Sequence, residues 1–368
     1  MPVPSEFFKG ACKRQLLRRH GIIIKIRKAS ILIVIVCESN LQTLPTCFLS
    51  TVECHLVELS TSVMELPLVY NPGYITPLPE GHRFPMRKFQ QLYELLLADG
   101  IAHPEQFHTP KRPPQEWIEL VHTHEYVQAY CEGTLEAKAQ RRIGLPWSPA
   151  LVNRTCTAVG GTILTAQLAL SHGLACNTAG GTHHAFPSYG SGFCIFNDLA
   201  IAARVLQQLG LVRKILIVDL DVHQGDGTAF IFQNDSSVFT FSMHCEVNFP
   251  STKQKSDLDV PLSAGMDDDA YLQTLAQYLP ELLSNFQPDL VLYDAGVDPH
   301  VGDRLGKLAL TDTGIFCREM QVLSTCVAGG YPVACVIGGG YADDLKGLVY
   351  RHSLLHRAAN EIYSQYRL

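Results

Sequence analysis

Charge is scarce in this sequence: only 17% of its 368 residues are Asp, Glu, Lys or Arg, and the formal net charge is −6. No global basic field therefore argues for nucleic-acid binding. None of the twelve cysteines forms a CxxC pair, and their spacing follows no regular framework. In a chain this long, that excludes a disulfide scaffold and implies reduced thiols in a cytoplasm-like compartment. Internal repeats and low-complexity linkers are also absent. With 46% hydrophobic residues the chain has ample material for a large core, which excludes disorder. At ~150 residues per domain the length would allow two or three domains, but α/β folds often run longer as one.

No apolar run approaches the ~20 residues of a membrane helix. The strongest candidate, Ala29 to Cys37, is nine residues long. Thr155 to Asn197 and Gln321 to Ala342 lack charge altogether, yet glycines, prolines and polar side chains such as His183 and His184 interrupt them. They read as buried strands, packed helices and a lined pocket, so the chain reads as soluble. Residues 1–64 differ from the rest, with eight Lys/Arg against four Asp/Glu, leaving 21 against 31 in the remainder. The first 28 residues hold one acid, Glu6, and no clear small-residue cleavage site at signal-peptide distance. We expect 1–64 to be a basic leader, disordered or outside the native fold, with Met64 the natural start of a folded unit over 65–368. The address is cytoplasmic, or organellar if the leader is a transit peptide.

From about residue 68 short apolar runs alternate with helical patterns. Lys214 to Asp219, Ser237 to Ser242, Leu290 to Tyr293 and Pro332 to Ile337 are of strand length and lack alternation, as parallel strands buried on both faces should. Gly173 to Asn177 is a weaker fifth. Asn197 to Gln208 reads as a helix that Asn197 caps and Gly210 ends, and Asp267 to Ser284 as another with an acidic start. The order predicts a single α/β domain with a mostly parallel central sheet and helices on both faces.

Polar residues gather just past these strands. Gly180-Gly-Thr-His-His-Ala185, Asp219-Leu-Asp-Val-His-Gln-Gly-Asp-Gly227, Asp294-Ala-Gly-Val-Asp298 and Gly338-Gly-Gly-Tyr341 follow four of them. In open α/β sheets that edge is where ligands bind. Asp221 and His223 lie two apart on an extended segment, so both reach one side, and an oxygen–imidazole pair suits Zn²⁺ or Fe²⁺. By itself such a tripeptide is as readily a turn with a solvated acid. Asp298 would complete a three-ligand site with an open position, the form of catalytic zinc sites. Asp219 and Asp226 could each accept a histidine Nδ1 proton, or merely cap a strand end and a turn. Tyr341, after three glycines, could swing over the metal or be an ordinary buried tyrosine.

Together these residues resemble the zinc-dependent histone deacetylase family, of the arginase/deacetylase fold, over about residues 66–366. GGTHHAFPSYGSGFC, ILIVDLDVHQGDGTA, YDAGVDPHVGDRLG and GGGY stand in family order and spacing. Gln224, where many eukaryotic members have a second histidine, looks closer to class IV and bacterial members. The resemblance implies Asp221, His223 and Asp298 as metal ligands. It implies His184 as general base paired with Asp226, His183 as second histidine paired with Asp219, and Tyr341 as polariser of the substrate carbonyl. Gly192, Phe193 and Phe249 match walls of an acyl-lysine tunnel. A potassium site would use Asp219, Asp221, His223 and Ser242, partly through backbone carbonyls. Two departures stand out. His124 replaces an aspartate that holds the substrate backbone in class I members, and Thr182 replaces a larger residue, implying a roomier tunnel floor.

The implied activity is metal-dependent removal of an acyl group, acetyl first among them, from the side-chain amide of a protein lysine or from a related acylated amine. Two alternatives remain. A ureohydrolase or amidinohydrolase of the same fold would bridge two metals through a DxHxD arrangement, whose last acid is missing here at Gln224-Gly225. A catalytically inactive module would bind acyl-lysine through the same tunnel.

Overall fold

The structure, a computed structural model, describes residues 65–368 and two short segments before them. Those segments, β1 (Ile23–Arg27) and β2 (Ser30–Val34), pair antiparallel within a separate unit, Met1–Thr61. The leader expected over 1–64 otherwise lies outside the described residues. In the second unit eight strands form one sheet: β3 (Leu68–Val69), β4 (Phe107–His108), β5 (Leu174–Asn177), β6 (Ile215–Asp219), β7 (Val238–Cys245), β8 (Leu258–Leu262), β9 (Leu290–Asp294) and β10 (Val333–Val336). Their order is 4-3-5-10-9-6-7-8, and every pairing is parallel.

Every residue of β5, β6, β9 and β10 is buried, which is why their sequences carry no alternation. The helices form two groups that pack within themselves. One pairs Pro149–His172 with Asp198–Gln208; the other brings together Lys88–Ala98, Asp268–Phe286, Asp312–Ala328 and Leu345–Tyr366. The arrangement is the open α/β architecture of the arginase/deacetylase type.

Local signals act as their chemistry requires. Asn197 caps the helix after the histidine loop, its side chain accepting from Ala200 N at 3.0 Å, and Asp267 caps the helix Asp268–Phe286. The strand expected over Ser237 to Ser242 runs on to Cys245, because Phe241 to Cys245 pair with the edge strand β8. That strand is half-buried and contains Pro261, so its sequence gives little strand signal.

Register sets the site. Asp219 lies opposite Asp294 on one side and Ser242 on the other, and Asp294 lies opposite Val336. The chain therefore leaves β6, β9 and β10 at one level, and the three loops that follow carry Asp221 and His223, Asp298, and Tyr341. Beneath them the fully buried Arg318 donates to the carbonyls of Leu220 at 3.1 Å and Gly296 at 2.7 Å, and pairs with Glu319. It ties two of the ligand-bearing loops to the helix Asp312–Ala328.

Candidate metal centre and active site

Asp221, His223 and Asp298 are buried, and each offers a ligand atom within 4.8 Å of the others. His223 Nδ1 lies 2.9 Å from Asp221 Oδ1 and 3.2 Å from Asp298 Oδ2. Backbone amides orient both acids: Gly339 N donates to Asp221 Oδ2 at 2.8 Å, and Val222 N to Asp298 Oδ1 at 2.9 Å. Asp298 Oδ2 is buried without a hydrogen-bond donor.

Burial pushes the Asp298 carboxyl up to about 7, with Asp221 adding to the effect. Burial opposes charge on His223 too, but its hydrogen bond to Asp221 and the adjacent Asp298 carboxylate raise it to about 10. Two buried acids converge on one imidazole nitrogen, leaving negative charge that a proton only partly balances. Two carboxylates and an imidazole with an undonated oxygen fit a small divalent cation with nitrogen and oxygen ligands.

The tandem histidines stand beside this cluster with their Nε2 atoms 3.2 Å apart. His183 Nδ1 bonds Asp219 Oδ2 at 2.8 Å, and His184 Nδ1 bonds Asp226 Oδ1 at 2.6 Å. Their environments push them in opposite directions. Burial disfavours charge on His183, but Asp219 and Asp221 outweigh it and raise the group well above its ordinary value. His184 is lowered to about 4 by burial, with His183 and His223 adding to the effect against Asp226. The surroundings thus favour charge on one imidazole and disfavour it on its neighbour.

Tyr341 lines the same cavity, of about 450 Å³, with its ring centroid 5.6 Å from that of Phe193. Burial and the nearby Asp221 and Asp298 raise its phenol well above the ordinary value, which keeps it a donor. Phe193 holds φ at +66°, unusual for a side chain of its size, and follows Gly192 at +54°. That turn presents the Phe193 ring to the cavity. Phe249, 46% exposed, stands edge-on to His184 at 4.8 Å between centroids.

Every expected catalytic, metal and tunnel residue is therefore drawn into one region. Asp219 and Ser242 are neighbours across β6 and β7, although the Ser242 hydroxyl is engaged with His244 at 2.9 Å. His124 is away from the cavity lining, exposed and 2.8 Å from Glu119. Sequence reasoning missed several participants. Asp303 accepts from the backbone of Leu305, Gly306 and Tyr341, the last at 2.6 Å, and so sets where Tyr341 begins. Lys88 and Arg154 reach the inner end of the cavity from helices distant in sequence. The quoted motif already contained Asp303 within a GDRLG run, but neither cation had a local signal.

Comparison with known proteins agrees with this geometry. Residues 82–354 match the histone deacetylase domain. An uncharacterized protein of Picosynechococcus sp. is 71% identical over 300 residues, covering 82% of this chain and all of that protein. The acetoin utilization protein AcuC of Bacillus subtilis is 31% identical, covering 74% of this chain and 76% of its own. Histone deacetylase 2 of Arabidopsis thaliana is 27% identical over 75% of each. Among solved structures, the HD domain of HDA15 superposes with a TM-score of 0.67 at 22% identity, covering 82% of this chain and 89% of that one. With a domain match that covers seven of the eight strands, the histidine pair and the Asp–His–Asp cluster, the chain belongs to the histone deacetylase family of hydrolases.

Proposed function

We propose that the protein hydrolyses the side-chain amide of an acylated lysine, or of a closely related acylated amine, to a free amine and a carboxylate. The observation that carries this reading is the pair of buried histidines, each held at Nδ1 by its own aspartate, with their Nε2 atoms together beside the Asp221–His223–Asp298 cluster. Such a pair supplies both the base and the acid that amide hydrolysis needs.

A Zn²⁺ or Fe²⁺ ion held by Asp221, His223 and Asp298 would supply Lewis-acid polarisation of the amide and a more acidic water. His184, neutral and held by Asp226, accepts the water proton at Nε2. His183, protonated and held by Asp219, donates from Nε2 to the departing nitrogen. Tyr341 donates its hydroxyl proton in a hydrogen bond to the oxygen that becomes negative in the transition state. Gly192, Phe193 and Phe249 flank the aliphatic stem of the lysine. A potassium ion near Asp219, Asp221, His223 and Ser242 belongs to the same reading, as does a cytoplasm-like address. The cysteines of the described residues are all free, and no described helix is long and apolar enough to cross a membrane.

The geometry disfavours the two-metal amidinohydrolase reading. Gly225 stands where the last acid of a DxHxD arrangement would fall, and the amide of Gln224 before it donates to Asp259 at 2.7 Å and the Gln254 carbonyl at 2.8 Å. The test is a panel of acyl-lysine peptides and acylated polyamines assayed with metal-loaded protein before and after chelation. We expect hydrolysis that chelation abolishes, with about one catalytic ion per chain. Hydrolysis of none of them by metal-replete protein would leave a binding module, and hydrolysis that survives chelation would overturn the metal assignment.

A further inference from the structure

The cavity does not end at the metal cluster. Lys88 and Arg154 line its inner end, 2% and 4% exposed. Lys88 Nζ donates to the Gly338 carbonyl at 3.2 Å, one peptide from the Gly339 amide that holds Asp221. Arg154 donates through Nε to the Tyr74 carbonyl at 3.2 Å. Both cations flank one ring, with Lys88 Nζ 5.5 Å and Arg154 Cζ 4.8 Å from the Phe89 centroid. Neither forms an ion pair with a carboxylate among the described residues. Asp198, a carboxylate that acts on Arg154 through charge, is engaged by the backbone amides of Gly181 at 3.1 Å and Thr182 at 2.7 Å and by the Thr162 hydroxyl at 2.5 Å.

Two buried cations with no carboxylate in direct contact are costly unless an anion joins them, and burial lowers Lys88 to about 8 against the more distant Asp298, Asp221 and Asp303. Ala158, Gly180, Gly181 and Thr182 line the same cavity beside them. Lys88 Nζ lies 5.7 Å from the centroid of the Tyr341 ring, so a tail of two or three methylenes would bring a terminal carboxylate within its reach.

Resting on the lysine-deacylase reading, we infer that this inner chamber selects acyl groups ending in a carboxylate, of the succinyl or glutaryl type. Water adds its oxygen to the acyl carbon, the C–N bond breaks, and the nitrogen leaves with a proton as the lysine amine. The other product is the free dicarboxylate, its distal end held by Lys88 and Arg154. Apolar acyl groups of the same length would leave both cations unanswered in a chamber cleared of water.

The test compares kcat/KM for acetyl-, butyryl- and succinyl-lysine peptides of one sequence, using the full metal-loaded chain and its Lys88→Met and Lys88→Arg variants. Succinyl should exceed butyryl by about tenfold or more, as one charge-assisted bond implies. Lys88→Met should collapse that ratio by a similar factor and Lys88→Arg should largely restore it, whatever the absolute rates. Because the ratio is internal to each variant, partial loss of folded protein does not mimic it. Equal rates for butyryl and succinyl peptides in the parent would leave the cations to the released monocarboxylate and overturn the inference alone. A succinyl preference that Lys88→Met leaves untouched would also overturn it. Hydrolysis of none of the three peptides would overturn it together with the deacylase reading.

Discussion

At Tyr341 one oxygen atom distinguishes a catalytic group from a packing group. The ring rests against Phe193 and Phe84, so Tyr341→Phe keeps its neighbours and removes only the hydroxyl. Losing a donor that matters chiefly in the transition state typically costs ~10²–10³ in turnover. We expect that loss with metal content and melting temperature unchanged; turnover within about threefold of the parent would remove Tyr341 from the mechanism. The proposed metal ligands permit a second measurement at this scale. His223 is raised to about 10, so without a cation it holds a proton through the neutral range. An ion taken at that nitrogen must displace the proton, so between about pH 7, where Asp298 has ionised, and pH 10 apparent affinity should rise by about tenfold per unit, with uptake releasing about one proton per ion. Calorimetry in buffers of different ionisation enthalpy reads this directly, and pH-independent affinity would contradict it. Asp298→Ala removes one of the three proposed protein ligands and should lose both bound metal and activity. Full metal occupancy with near-normal turnover in that variant would show that Asp298 is not a ligand.

Among the elements, the strand-end loops do the positioning, and glycine lets them approach one another. A Cβ at Gly339 would overlap both Asp298 Oδ2 and Asp221 Oδ2, although its backbone conformation is one any residue adopts. Gly339→Ala should therefore act through collision alone, pushing the two acids apart while the sheet below persists. The expected result is loss of metal and a fall in turnover of about a hundredfold or more, with near-native far-UV circular dichroism, since about a 1 Å misplacement can cost that much. Full metal occupancy would show that the loop yields without cost. The four central strands were legible because burial on both faces removes polar residues from them. β3 and β4 were not, since two-residue strands leave no periodicity to read.

For the molecule as a whole, the described core runs from Leu66 to Tyr363, and the described site lies within the same span. Deleting residues 1–63 should thus lower the melting temperature by less than about 4 °C, the shift that roughly 1 kcal/mol produces in a large domain, and leave turnover unchanged. A larger drop would show that the leader packs on the catalytic unit. The sequence by itself determined the α/β class, the strand ends at which chemistry gathers, and the Asp221–His223 and His183–His184 pairs. Each of those depends on neighbours within a few residues, where chain geometry alone decides direction. It also carried the family motifs. Only the tertiary structure decided that Asp298 shares the His223 nitrogen with Asp221, because parallel register brings β6 and β9 to one level. The opposite bias of two adjacent histidines was likewise invisible, since it arises from four carboxylates on two separate strand-end segments and from burial. Lys88 and Arg154 meet beyond the cluster for the same reason. They come from helices that no local pattern links, and only packing against one phenylalanine ring makes them neighbours.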